Sequence, residues 1–169
     1  MEQNASIVLD VGKTMSKLSL WTSAGEPICR ESRPNERCST GDFDVLDVDG
    51  ITSWLVDTLK SFSEKARVTK IIPVAHGAAF AAVRDGKLAC LPMDYETRIP
   101  QHIAEAYEAE RDSFGVTGSP RLSEGLNAGV QLYWQQVEMP GMFDGATLMP
   151  WAQYWSWFLS GVDSSEVTS

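Results

Sequence analysis

The stretch Ile7-Val8-Leu9-Asp10-Val11-Gly12-Lys13-Thr14-Met15-Ser16-Lys17-Leu18-Ser19-Leu20 decides the fold. It reads as a short apolar strand, a tight polar turn and a second strand in which Leu18 and Leu20 share an inward face. The turn holds an acid, a glycine, a hydroxyl and two cations. Successive backbone N–H groups in a turn, with a hydroxyl and positive charge beside them, can hold phosphate oxygens. An acid at the end of the first strand can hold a metal ion through water, shared with those phosphates. The same residues also read as a surface hairpin, with Gly12 supplying the turn and the lysines solvated at its edge.

Outward from the hairpin, Ser23 to Pro27 is a turn and Ile28 to Ser32 returns as a third strand. Pro34 to Asp47 is polar and irregular. Asp49-Gly50 then opens a helix, with Asp49 as the expected cap. Ile51, Trp54, Leu55, Leu59, Phe62 and Ala66 lie on one helical face. Thr69 to Ala75 is a strand, with an irregularity expected at Pro73. Strand, strand, strand, helix, strand predicts a mixed α/β architecture. Ala78 to Val83 and Lys87 to Leu91 form a hairpin turned by Arg84-Asp85-Gly86. Gln101 to Asp112 is a helix. Another helix presents Leu126, Val130, Tyr133, Trp134 and Val137, and Pro140-Gly141 ends it. A last helix follows Pro150, with Trp151, Tyr154, Trp155, Phe158 and Leu159 on one face. That spacing favours a packed core over a stacking platform for a ligand, and Trp157 falls off the face.

The 169 residues are enough for one domain, with 43% hydrophobic and 22% charged residues. A formal net charge of −9 argues against nonspecific nucleic-acid binding and against anionic membrane surfaces. Three cysteines without Cys-x-x-Cys spacing argue against a disulfide framework or a zinc site. A reducing cytoplasm is the simplest compartment. The start does not look like a signal peptide, and no apolar run approaches membrane-spanning length.

Two more clusters carry chemistry. Val74-Ala75-His76-Gly77-Ala78-Ala79 places His76 and Gly77 just past a strand end, where ligands sit in open α/β sheets. His76 there could hydrogen-bond a sugar hydroxyl or be satisfied by a neighbouring carbonyl. Asp94-Tyr95-Glu96-Thr97-Arg98 joins two carboxylates, a phenol and an arginine. Such groups bind neutral polyols; the same run also reads as a solvated loop with a weak Glu–Arg pair.

Together these segments resemble the FGGY carbohydrate kinases, of the sugar kinase, actin and heat-shock ATPase superfamily. Asp10 to Lys17 is similar to the family's first phosphate segment, Asp-x-Gly-Thr-Thr/Ser-x-x-Lys/Arg. Ala75-His76-Gly77-Ala78 resembles the sugar-contacting loop of its xylulose-kinase branch. Glu96-Thr97-Arg98 falls at the family's Trp-x-Asp-x-Arg. Gly129 to Trp134, with Pro140, Phe143 and Ala146, resembles its Leu-Leu-Trp helix and the following Pro-Glu-x-Phe segment. Tyr154 and Leu159-Ser160-Gly161 match its Asp-Tyr-x-x-x-x-Leu-Thr-Gly pattern. Lys13 stands in place of a threonine, Asp94 in place of a tryptophan and Gln153 in place of an aspartate.

The resemblance implies a ribonuclease H-like (actin-like ATPase) α/β domain, incomplete here, with a mixed sheet flanked by helices. It implies phosphoryl transfer from ATP, with Mg²⁺, to a hydroxyl of a sugar, either a ketose or a polyol. Asp10 would organise the metal; Gly12, Lys13, Thr14 and Lys17 would hold phosphate; His76, Gly77, Asp94, Glu96 and Arg98 would hold the sugar. A homodimer is left open. Residues 1–169 would be part of the first domain. The rest of that domain, the C-terminal domain and the general base are expected beyond Ser169. These residues alone are then expected to be inactive, with the aromatic face of the last helix left uncovered. The alternatives are a non-catalytic sugar- or partner-binding fragment, a degenerate relative without the base, and, more weakly, an actin-like assembly protein.

Overall fold

The computed structural model describes residues 3–164. Three strands follow one another as a meander: β1 (Asn4–Val11), β2 (Met15–Thr22) and β3 (Pro27–Pro34). A short hairpin, β4 (Cys38–Ser39) and β5 (Asp44–Val45), interrupts the segment read as irregular. Helix α1 (Val48–Ser63) crosses over to β6 (Arg67–Ala75). The first sheet has the order β3-β2-β1-β6, antiparallel except for the parallel β1–β6 pair. It is a mixed sheet, as the resemblance implies, within the α/β architecture expected from the strand and helix order.

Strands β7 (Phe80–Arg84) and β8 (Lys87–Cys90) form the expected hairpin. Its turn carries Asp85 at φ 51° and Gly86 at φ 71°, the left-handed pair that a two-residue hairpin turn requires. Helices α2 (Gln101–Glu110), α3 (Phe114–Thr117) and α4 (Ala128–Glu138) follow. Strand β9 (Thr147–Pro150) returns to pair with β7 and leads into helix α5 (Trp151–Ser160). Neither β9 nor α3 was apparent from periodicity, because both are only four residues long.

Two cores divide the apolar side chains. The larger joins Ile7, Leu9, Val11, Leu18 and Leu20 of the first sheet to Ile51, Leu55 and Phe62 of α1 and to Trp151, Tyr154 and Trp155 of α5. The smaller joins Phe43, Val45, Met93, Ile103, Val130 and Trp134. Burying each such side chain contributes about 1.5–3 kcal/mol. The aromatic face of α5 is therefore covered, contrary to the expectation of an uncovered one: Trp151 and Trp155 are fully buried. It packs against β6, β7 and β9 of this same chain, which leaves no stacking platform there. Trp157 finds its partner in Tyr154, ring centroids 5.7 Å apart.

Three local expectations need correction. The cap of α1 is Asp47, not Asp49. Its carboxylate accepts from the Gly50 N–H at 2.9 Å, and any Cβ on Gly50 would collide with it. The irregularity in β6 lies opposite Ala5/Ser6, where Thr69 drops out of register and its Oγ1 donates to the Ala5 carbonyl at 3.1 Å. Pro73 pairs with Leu9 in regular register; β6 is an edge strand, so the missing N–H faces no neighbour. On α4 the buried stripe is Val130, Gln131, Trp134 and Gln135, while Leu126 and Val137 are exposed.

The segment after β3 is strapped down by two polar side chains. Asn35 donates through Nδ2 to the Gly12 carbonyl at 2.9 Å and the Lys13 carbonyl at 3.3 Å, and accepts from Ser16 Oγ at 2.9 Å. Its backbone N–H donates to the Thr14 carbonyl at 3.0 Å. Asp47 accepts from Arg33 at 2.8 Å and from the Glu36 N–H at 3.2 Å as well as from Gly50. Burial pushes the Asp47 carboxyl up. The Arg33, Glu36 and Gly50 hydrogen bonds outweigh that and hold it below the usual carboxylate range.

Two outcomes are expected. Asp47→Ala removes the cap and leaves Arg33 unpaired, at a cost of about 2–3 kcal/mol in urea unfolding. The lost contribution is complete above the unfolded carboxylate pKa of about 4 and vanishes as pH falls through the lower folded value. The wild-type advantage over Asp47→Ala therefore shrinks on acidification, and an advantage constant from pH 6 to pH 2 would refute the assignment. Asn35→Ala strands the buried Ser16 hydroxyl and two turn carbonyls, costing about 1–3 kcal/mol. Amide exchange in the Gly12–Met15 turn should accelerate well beyond that of β1.

Candidate active site

The site forms where β1 and β6 end together. Val11 and Ala75 are their last paired residues, so the Gly12 turn and the His76 loop leave the sheet side by side. The turn is closed by the Gly12 N–H donating to the Met15 carbonyl at 3.1 Å. A Cβ on Gly12 would stand 2.9 Å from that carbonyl oxygen, too close for any other residue without movement. With the Gly12, Lys13 and Thr14 carbonyls taken up by Asn35, the backbone N–H groups of Lys13 and Thr14 remain for a ligand, and Thr14 is exposed.

Asp10 and Lys17 face each other across the β1–β2 pair. Their charged groups are 3.6 Å apart and about half exposed, a pair that contributes little to stability and is free to rearrange around an anion. Among the described residues no three histidine, cysteine or acidic side chains gather into a metal site. A lone carboxylate fits an ion that keeps most of its water and is shared with phosphate, as Mg²⁺ is.

Lys13 points elsewhere than its place in the turn suggests. Its ammonium pairs with Asp94 Oδ1 at 3.0 Å and with Glu96 Oε2, and lies 5.2 Å from the Tyr95 ring centroid. The Lys13 side chain is 9% exposed and that of Asp94 11%, whereas that of Glu96 is 60% exposed. Burial works to lower the pKa of Lys13, but Glu96 and Asp94 outweigh it and hold the ammonium above the ordinary lysine value.

His76 packs edge-on against Tyr95, ring centroids 5.1 Å apart. Both of its ring nitrogens are buried without a hydrogen-bond partner. Burial pushes its pKa down; Asp94 opposes this and Lys13 adds to it. At neutral pH the ring is therefore an uncharged donor and acceptor with both valences unused, the state suited to hydroxyl groups. A shallow cleft lined by Tyr95, Glu96, Ser123, Glu124 and Leu126 opens beside it.

The loops around this cluster are held from behind. Asp94 accepts through Oδ1 from the Glu96 N–H at 2.9 Å, an Asx turn that shapes the loop. Its own N–H donates to the Asp44 carbonyl at 2.9 Å, and Met93 bridges to Val45. Gln131 donates to the Ala78 carbonyl at 2.9 Å and to the Gly125 carbonyl, and the Gly125 N–H donates to the Tyr95 carbonyl at 3.0 Å. Gln135 donates to the Leu91 carbonyl at 3.1 Å. The two glutamines are buried because each satisfies loop carbonyls that would otherwise be orphaned.

Of the residues singled out in the sequence, Lys13, His76, Asp94 and Glu96 converge, with Asp10, Gly12, Thr14 and Lys17 on the adjoining hairpin. Gly77 and Arg98 are exposed, and no side-chain hydrogen bond or ion pair holds Arg98 among the described residues. Asn35, Gln131 and Gln135 were missed. The i, i+4 spacing of the two glutamines on an otherwise apolar stripe was the available signal; Asn35 gave none.

No protein-family model and no curated protein matches the chain. Among solved structures it is similar over its whole length to a carbohydrate kinase from Novosphingobium aromaticivorans, at 46% identity and a TM-score of 0.93, covering 36% of that chain. In fold it resembles a xylulose kinase from Lactobacillus acidophilus, at 15% identity and a TM-score of 0.76, over 94% of this chain and 34% of that one. It likewise resembles the ADP-bound glycerol kinase of Plasmodium falciparum, at 12% identity and a TM-score of 0.76, over 95% of this chain and 35% of that one. The chain thus spans about a third of the length of the kinases it matches. Its hairpin turn and His76 loop meeting at one sheet end, and its 46% identity to one such enzyme, are consistent with the N-terminal part of an FGGY-type carbohydrate kinase.

Proposed function

We propose that residues 1–169 form part of the first, ribonuclease H-like domain of an ATP-dependent kinase for a neutral sugar or polyol hydroxyl. The observation that carries the reading is the meeting, at one end of the β1–β6 pair, of an N–H-bearing turn with an uncharged histidine whose ring nitrogens are both unpartnered. Gly12 and Thr14 would approach the phosphates through backbone and hydroxyl, with Lys17 offsetting their charge. His76, Asp94 and Glu96 would hold the acceptor, with Gly77 leaving room and Arg98 free to swing in from solvent. Asp10 would hold Mg²⁺ through water, and the ion would neutralise charge on the transferring group. The family resemblance puts the general base and most of the adenine pocket in the rest of the first domain and in the C-terminal domain. The proposed turnover therefore belongs to a chain that carries those parts, and residues 1–169 alone are expected to show none. ATP as the donor and three unbridged cysteines suit a cytoplasmic setting.

In a chain that includes the second domain, Asp10→Ala should lower sugar-dependent ADP release by at least about a hundredfold. Circular dichroism should stay unchanged, because Asp10 supports no buried contact. Near-normal turnover in that folded variant would remove the metal role. His76→Ala should raise the half-saturating acceptor concentration by about two- to tenfold and leave that of ATP alone. Equal losses for both substrates would argue that His76 only shapes the loop.

A further inference from the structure

We infer that Lys13, although its backbone belongs to the phosphate turn, is an acceptor-side positioning residue whose ammonium fixes the Asp94 and Glu96 carboxylates for the acceptor hydroxyls. This rests on the kinase reading above and reassigns one of its residues.

Three observations support it. The ammonium bonds to both carboxylates at once and is nearly enclosed, whereas Lys17, the other cation of the hairpin, is largely exposed. The Tyr95 ring lies against it on another side, so the lysine touches every member of the 94–96 loop. An ammonium withdrawn from water and committed to two carboxylates is costly to redirect: a move to phosphate would leave Asp94, itself 11% exposed, as an uncompensated buried charge. The two carboxylates carry one charge in excess of Lys13. Asp94 Oδ1 takes both the lysine and the Glu96 N–H of the Asx turn, while Glu96 has lone pairs open to solvent. The pair thus presents Glu96 to a neutral hydroxyl-bearing ligand in a fixed geometry, next to the buried and unpartnered His76 nitrogens, and leaves the turn's N–H groups to the phosphates.

The test reads His76. The groups facing His76 are Tyr95, Lys13 and Asp94. In a chain that includes the second domain, titrate His76 by NMR in the wild type, Lys13→Met, Lys13→Arg and Asp94→Asn. Then follow amide shifts on adding D-xylulose or glycerol, and separately Mg·ADP. Removing the ammonium should raise the His76 titration midpoint, and Asp94→Asn should lower it. Lys13→Met should weaken polyol binding by about tenfold or more and leave Mg·ADP binding within about twofold. Lys13→Arg should restore most of the loss, which also covers a Lys13→Met variant that fails to fold. An unmoved His76 titration, or a loss of Mg·ADP binding with polyol binding intact, would return Lys13 to the phosphates and overturn the inference with the kinase reading unharmed. If neither polyol nor Mg·ADP shifts any amide of the wild-type chain that carries the second domain, the kinase reading fails and this assignment falls with it.

Discussion

The parallel pairing of β1 with β6 is the constraint on which the rest depends. It runs from Asn4↔Arg67 to Val11↔Ala75 and ends both strands at one level. A parallel pair cannot be closed by a tight turn, so the chain must spend the β2–β3 meander and α1 on the crossover. That detour is what places Asn35 against the Gly12 turn and lets Asp47 tie Arg33 and Glu36 to α1. It also leaves one face of the sheet for α1 and α5 to cover, and that face holds the larger core. The opposite face, with Ile72 and Val74 about half exposed, carries Asp10 and Lys17.

The end of this pair concentrates charge in a place where most of it is withdrawn from water. Lys13, Asp94 and Glu96 form one group in which attraction between opposite charges offsets the desolvation of two of them. His76 sits at its edge and stays neutral, since burial penalises the imidazolium more than Asp94 favours it. The division of labour follows from exposure. Lys13 and Asp94, both nearly enclosed, fix the loop, and Glu96 is the member of the group open to solvent. The neighbouring Asp10–Lys17 pair is loose and solvated and contributes little to stability.

The smaller core explains why the loops bearing these groups hold their shape. Phe43 and Trp134 pack edge to face at 5.4 Å, and Met93 lies fully buried among them, anchoring the loop one residue before Asp94. Gln131 and Gln135 then take up carbonyls from loops that would otherwise carry unpaired polar groups. Helix α4 thereby acts as a polar spine, and its apolar residues alone would not have assembled the site.

Much was legible in the residue order. The Ile7–Leu20 hairpin, α1, the β7–β8 hairpin and α5 follow from periodicity, glycine and proline, because these act over one or two turns of chain. The candidate residues were legible for the same reason: each cluster is contiguous, and the ordered set resembles one kinase family. The rest depended on contacts between distant segments. Gln131 reaches a carbonyl 53 residues away, so nothing local marks it as buried. Asp47 displaced Asp49 as the cap because Arg33 of β3 and Glu36 beyond its end converge on it. The Trp151–Trp155 face is covered by strands that periodicity placed nowhere in particular. The direction of the Lys13 side chain was settled by two carboxylates brought in by the second hairpin. Local backbone preference is a short-range force that one segment can express alone. The destination of a charge is set by desolvation and partners, and these exist only once the chain has folded around it.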